Sequence, residues 1–206
     1  MRRFLPILLV GAALALLAEF QLHGQVAPNV TYERLLNAAN EPQNWLIYSG
    51  GYASNRYSQL TRITPENVGN LELKWMYQGA VMGNWQSSPI VVDGMMYITQ
   101  RPNDVVALDA RTGRVFWVYQ WPTDPGQKAC CGANNRGVAI LGDTLFMGTL
   151  DARLIAIDAV TGKARWNVKI ADIKAAYSIT MAPLVVKDKV IVGVGDRKST
   201  RLNSSH

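Results

Sequence analysis

Short apolar runs broken by turn residues dominate the chain from Ile90 onward. Ile90–Val92 and Met95–Thr99 flank Asp93-Gly94, a pair that favours the positive φ angles of a tight hairpin. Val105–Asp109 and Val115–Tyr119 flank Ala110-Arg111-Thr112-Gly113, where glycine supplies the left-handed residue of a turn. The unit therefore reads as four short strands. It then recurs. ALDARTGRVFW (107–117) returns as AIDAVTGKARW (156–166) at an offset of 49 residues, and Tyr97 corresponds to Phe146 at the same offset. APLVVKDKVIVGVG (182–195) begins a third copy, and LELKWMY, with Trp75, closes an earlier unit. A repeat of this length built of four strands is the content of a β-propeller blade, so the chain reads as all-β with about two and a half to three blades. No helical periodicity separates the units, which excludes a βαβ arrangement. Short helices are expected near Thr31–Asn37 and at Thr64–Leu71, where Thr64, Pro65 and Asn67 suit a helix start. Trp117 and Trp166 occupy one strand position in successive units and are assigned to packing between blades, not to substrate.

The ends read differently. MRR followed by the apolar run Phe4–Ala18 is a secretory signal pattern, which sets 1–27 apart as a leader. Such a leader predicts a periplasmic location; retained, it would be a membrane anchor. The last residues, 197–206, break the β pattern and are read as a probable non-native tail, leaving 28–196 as the propeller part. Charge adds little. The net charge of +6 falls to about +2 once Arg2, Arg3, Glu19, Arg197, Lys198 and Arg201 are set aside, and no basic stripe interleaved with aromatics indicates nucleic acid.

Chemistry concentrates at Cys130-Cys131, the only cysteines of the chain, within ACCGANNRG. Adjacent cysteines staple poorly, because the ring they close removes little chain entropy. They also lack the spacing that lets two thiolates face one ion. An exported chain would meet oxidising conditions in which the pair can be bonded; two buried thiols are the other reading. The two histidines lie at 23 and 206, so neither offers a base within the repeats. No dinucleotide fingerprint, phosphate loop or nucleophile elbow occurs, which directs any redox chemistry to a bound cofactor.

The leader, NWLIYSGGYASNRYSQLTRIT (44–64), the two ALDA-x-TG-like units and ACCGANNRG together resemble the pyrroloquinoline-quinone (PQQ)-dependent alcohol dehydrogenases, the methanol and ethanol dehydrogenase group. The resemblance runs from about Asn44 to Gly195. It implies an eight-bladed propeller with PQQ near its axis and a Ca²⁺ or lanthanide ion polarising a quinone carbonyl. It further implies oxidation of an alcohol to an aldehyde by hydride transfer, with electrons leaving to a cytochrome c or a membrane acceptor. By position, Cys130 and Cys131 match a vicinal disulfide that covers the quinone ring. Arg136 matches an arginine that pairs with a quinone carboxylate, and Thr180 a threonine that hydrogen-bonds the cofactor. Gln86 stands where the family often has a cofactor-contacting glutamate. Asp196, Arg197 and Lys198 replace a Gly-rich loop ending in a metal-binding glutamate. The base Asp, the remaining metal ligand and the ring-stacking Trp would fall past residue 206, so no catalytic or metal-ligating residue is assigned, and the segment alone is expected to be inactive. The competing function is a non-catalytic envelope propeller that acts as a binding or assembly scaffold. It shares the Trp repeat but has no need of adjacent cysteines beside Asn135-Arg136.

Overall fold

The computed structural model describes residues 27–122, 124–127, 129 and 132–195. The leader and tail expectations lie almost wholly outside these residues, as do Cys130 and Cys131. No helix among the described residues is long and apolar enough to cross a membrane.

Two four-stranded antiparallel sheets form in simple up-and-down order. The first comprises β1 (Ile90–Val92), β2 (Met95–Gln100), β3 (Asp104–Asp109) and β4 (Val115–Tyr119). The second comprises β5 (Ala139–Leu141), β6 (Thr144–Gly148), β7 (Arg153–Asp158) and β8 (Ala164–Lys169). A two-stranded start of a third follows in β9 (Leu184–Val186) and β10 (Lys189–Ile191). The strands agree with the sequence pattern to within a residue or two. Asp93 and Gly94 both take positive φ, 51° and 85°, as a two-residue hairpin demands. Both full sheets also shift register at one equivalent place, between Ala107 and Leu108 and between Ala156 and Ile157.

The inner faces of the sheets share one core. Ile90, Val92, Tyr97, Val105 and Ala107 pack with Val138, Ile140, Leu145, Met147, Ile155 and Ile157, all buried. Tryptophan docking locks this stack. The Trp117 indole N–H donates to Ala159 O (3.2 Å), and the buried Tyr97 hydroxyl donates to the same carbonyl (3.1 Å). A Cβ on Gly162 would stand 2.6 Å from the Trp117 ring, and φ there is +71°, so glycine meets both demands. Trp75 repeats the arrangement one unit earlier: its N–H donates to Ala110 O (3.2 Å) and its ring covers Gly113. The aromatic ring beside the last-strand tryptophan has the same geometry in both units, with Tyr97–Trp117 centroids at 6.0 Å and Phe146–Trp166 at 5.9 Å.

The N-terminal segment straps the hairpin end of both sheets. Thr31 caps α1 (Tyr32–Leu36) by accepting from Arg34 N–H at 3.2 Å. Val30 bridges Gly142, and Trp45 bridges Val91. Arg34 reaches both Glu41 (2.6 Å) and Asp93 (3.0 Å). The helix expected at Thr64–Leu71 is reduced to a 3₁₀ turn at Val68–Asn70. Asn67 accepts from Thr64 N–H, the return bond of a capping box, and does not cap the 3₁₀ turn; Val68 and Leu71 are exposed, so no buried stripe extends it.

Across β6–β8, Arg165 bridges Asp143 and Asp158, both at 2.7 Å. The arginine holds the Asp158 carboxyl down at about 2 and lowers Asp143 as well. A carboxyl depressed in the folded state stabilises it above the unfolded value near 3.9, and that gain is lost as pH falls toward 2. The cluster is largely solvated, so its worth is at most about 1 kcal/mol. Urea denaturation at pH 6 and pH 3 should therefore show the wild type losing more stability than Arg165→Met over that interval. Equal losses would remove the cluster from the account.

Candidate functional site

At the end of the sheets opposite the β1–β2 and β5–β6 hairpins, the segments that enter β1, β5 and β9 meet. Each carries one residue singled out from the sequence: Gln86 before β1, Arg136 before β5 and Thr180 before β9. Backbone hydrogen bonds link them across the units. Ser88 N–H donates to Arg136 O at 3.0 Å, and Arg136 N–H donates to Thr180 O at 3.2 Å. The Arg136 guanidinium adds a bond to Thr180 O (Nη1, 3.2 Å) and is half-buried. It makes no ion pair with a carboxylate among the described residues. Its remaining donors are available to an incoming anion. Gln86 is exposed and Thr180 half-buried.

Further polar contacts behind these residues fix the junction. The Thr99 hydroxyl donates to Asn135 O (3.0 Å) and lies 3.0 Å from the Ser87 hydroxyl, which in turn accepts from Thr99 N–H (2.9 Å). Buried Asn135 donates through Nδ2 to Gly148 O (2.8 Å) and accepts from Gly137 N–H (3.2 Å). Ile179 N–H donates to Thr149 O (3.0 Å), which sets the segment leading to Thr180 against the end of β6. Ser87 and Thr99 escaped the sequence reading because single hydroxyl positions, one before a strand and one near a strand end, carry no periodic signal. Only Asn135, adjacent to Arg136, lay in a quoted motif.

Gly148 sits under this junction. A Cβ there would come within 2.2 Å of Ile179 Cγ2 and 3.0 Å of Ile179 Cβ, with no flexible tip to yield. Gly148→Ala should therefore cost about 1–3 kcal/mol and displace the Ile179–Thr180 segment. Urea denaturation checks the first effect. A substitution that leaves stability unchanged would show that the segment yields freely.

The junction holds a half-buried guanidinium, bonded to Thr180 O, where the segments entering β1, β5 and β9 meet. A guanidinium so placed suits an anion with paired oxygens. Cys130 and Cys131 lie outside the described residues, and so do Asp196, Arg197 and Lys198. Among the described residues no group of three His, Cys, Asp or Glu side chains is placed to hold a metal ion.

Comparison with known proteins decides the family. Residues 45–205 match the glucose/ethanol/alcohol dehydrogenase beta-propeller domain of PQQ proteins. The chain belongs to the PQQ-dependent alcohol and methanol dehydrogenase family. It is 43% identical over 191 residues to quinohemoprotein alcohol dehydrogenase ADH-IIG of Pseudomonas putida, covering 91% of this chain and 27% of that protein. It is 40% identical over 185 residues to a lanthanide-dependent methanol dehydrogenase of Methylacidiphilum fumariolicum, covering 87% of this chain and 30% of the relative. The solved structure of ADH-IIG superposes with a TM-score of 0.77 at 44% identity, over 83% of this chain and 26% of that one. A europium-containing methanol dehydrogenase superposes at 0.76 and 39% identity, over 80% and 29%. The chain thus spans between a quarter and a third of the length of these relatives.

Proposed function

We propose that this chain forms part of the propeller of a periplasmic quinoprotein that oxidises alcohols to aldehydes. Within it, Gln86, Arg136 and Thr180, with Cys130 and Cys131, line one wall of the PQQ site. The observation that carries this reading is the Arg136 guanidinium, half-buried and without a carboxylate partner among the described residues, at the junction of three sheet-entry segments. PQQ bears carboxylates and a flat ring, and when bound it supplies the two-electron acceptor that no side chain here offers.

Each residue has a distinct task. The Arg136 fork receives a quinone carboxylate, a geometry that a lysine would not reproduce. Its remaining bond to Thr180 O keeps the fork aimed. Thr180 and Gln86 donate to quinone oxygens, Gln86 without the charge a glutamate would bring. Cys130 and Cys131, joined as a vicinal disulfide, give a rigid apolar cover to the ring. The Ca²⁺ or lanthanide ion, the base and the electron acceptor, a cytochrome c or a membrane carrier, belong to the complete enzyme.

Titration of the complete protein with PQQ, followed by tryptophan fluorescence, tests the reading. Saturable binding at one site is expected. No binding, with or without Ca²⁺ or a lanthanide, would overturn it.

A further inference from the structure

Arg101, in the turn between β2 and β3, sits across two loops that the site depends on. Its Nε donates to Ala133 O (3.1 Å), and its Nη1 donates to Met82 O (3.2 Å). Ala133 lies two residues beyond Cys131 and three before Arg136, while Met82 lies four before Gln86. The guanidinium rests directly on Gly83, where a Cβ would meet Nη1 at 1.8 Å, and its Nη2 reaches within 4.0 Å of the Cβ position of Gly132. Glycine at 83 and 132, both with positive φ, leaves room for the fork at both loops. Arg101 is half-buried and, like Arg136, makes no ion pair with a carboxylate among the described residues. A cation kept in such a place without a carboxylate has its donors spent on backbone carbonyls, and those carbonyls belong to the two loops that lead into the site.

We propose that Arg101 is a positioning residue for the quinone site: its fork ties the Gly132–Arg136 segment to the Met82–Gln86 segment and so sets the spacing of these two parts of the wall. The inference rests on the PQQ reading above, and it adds a residue that does not touch the cofactor. A planar fork with two divergent donors holds two carbonyls at a fixed spacing; an ammonium on a flexible stem does not. Loss of the fork leaves both loops with their other anchors, Ser88 N–H on Arg136 O and Thr99 Oγ1 on Asn135 O. The fold therefore survives while the site loosens.

The test compares wild type, Arg101→Ala, Arg101→Lys and a control, Arg153→Ala, in the complete protein by PQQ titration and thermal melting. The Arg153 side chain bonds Asn167 (2.6 Å) and covers Trp121, and it bonds neither the 82–86 nor the 132–136 segment. Arg101→Ala should weaken PQQ binding about ten-fold and shift the absorption band of the bound quinone, with Arg101→Lys between it and wild type. Arg153→Ala should bind as wild type does. Wild-type affinity and spectrum in Arg101→Ala would overturn the proposal, as would an equal loss in Arg153→Ala. Should Arg101→Ala fail to fold, Arg101→Lys decides: weakened binding with a shifted band supports it, and wild-type binding overturns it. Failure of the wild type itself to bind PQQ would instead strike the functional reading on which the inference rests.

Discussion

Trp117→Ala is expected to remove about 3–4 kcal/mol of stability, the largest effect of any single substitution considered for this fold. Three losses combine. The indole leaves a void against Tyr97, whose ring centre lies 6.0 Å away. Its N–H no longer reaches Ala159 O. The glycine turn at Gly162, shaped to accept the ring, loses its cover. The site should suffer as well, because the stacking of the two sheets is what aligns the segments entering β1 and β5. Trp117→Phe separates the parts: it keeps most of the ring contact and loses the hydrogen bond, for about 1 kcal/mol. Urea denaturation of wild type and both variants checks the series. A Trp117→Ala protein within 1 kcal/mol of wild type would show that docking is not what holds adjacent sheets together.

Arg136→Ala should weaken PQQ binding about 100-fold while leaving the fold nearly intact. The two effects separate because the backbone and side chain of Arg136 do different jobs. Its N–H and C=O link the entering segments through Thr180 O and Ser88 N–H, and alanine keeps both bonds. Only the guanidinium, with its single bond to Thr180 O, is lost. A charge-assisted, two-pronged bond to a carboxylate is worth enough to account for a change of that size. Arg136→Lys should fall between, because the charge stays and the fork goes. Fluorescence titration alongside thermal melting reads both quantities. Unchanged affinity in Arg136→Ala would remove Arg136 from the cofactor site.

The architecture was legible because its determinants repeat. Asp93-Gly94, the Thr-Gly turns and the paired tryptophans each impose a local geometry, and the 49-residue offset shows that geometry used twice. The packing of Trp117 onto Gly162 follows from the same words of sequence as the packing of Trp75 onto Gly113. The stretch Thr64–Leu71 misled, since Thr64-Pro65 announces a helix that no buried face prolongs. The site was legible only through the resemblance carried by Cys130-Cys131, Asn135 and Arg136. Spacing along the chain does not show that 86, 136 and 180 converge. They meet because each precedes the first strand of its sheet, and the stacking of the sheets brings those entries together. Arg101 was hidden for another reason. Its partners are the backbone carbonyls of Met82 and Ala133, and carbonyls carry no residue-type signal.

The segments entering successive sheets are proposed to form the wall on which PQQ lies. A crystal structure of the complete protein with PQQ bound tests it most directly. A quinone carboxylate is expected within hydrogen-bond distance of the Arg136 guanidinium, about 2.7–3.2 Å, with Thr180 and Gln86 at the rim of the same ring. A quinone bound elsewhere, with Arg136 facing only solvent or a carboxylate of the protein, would contradict it.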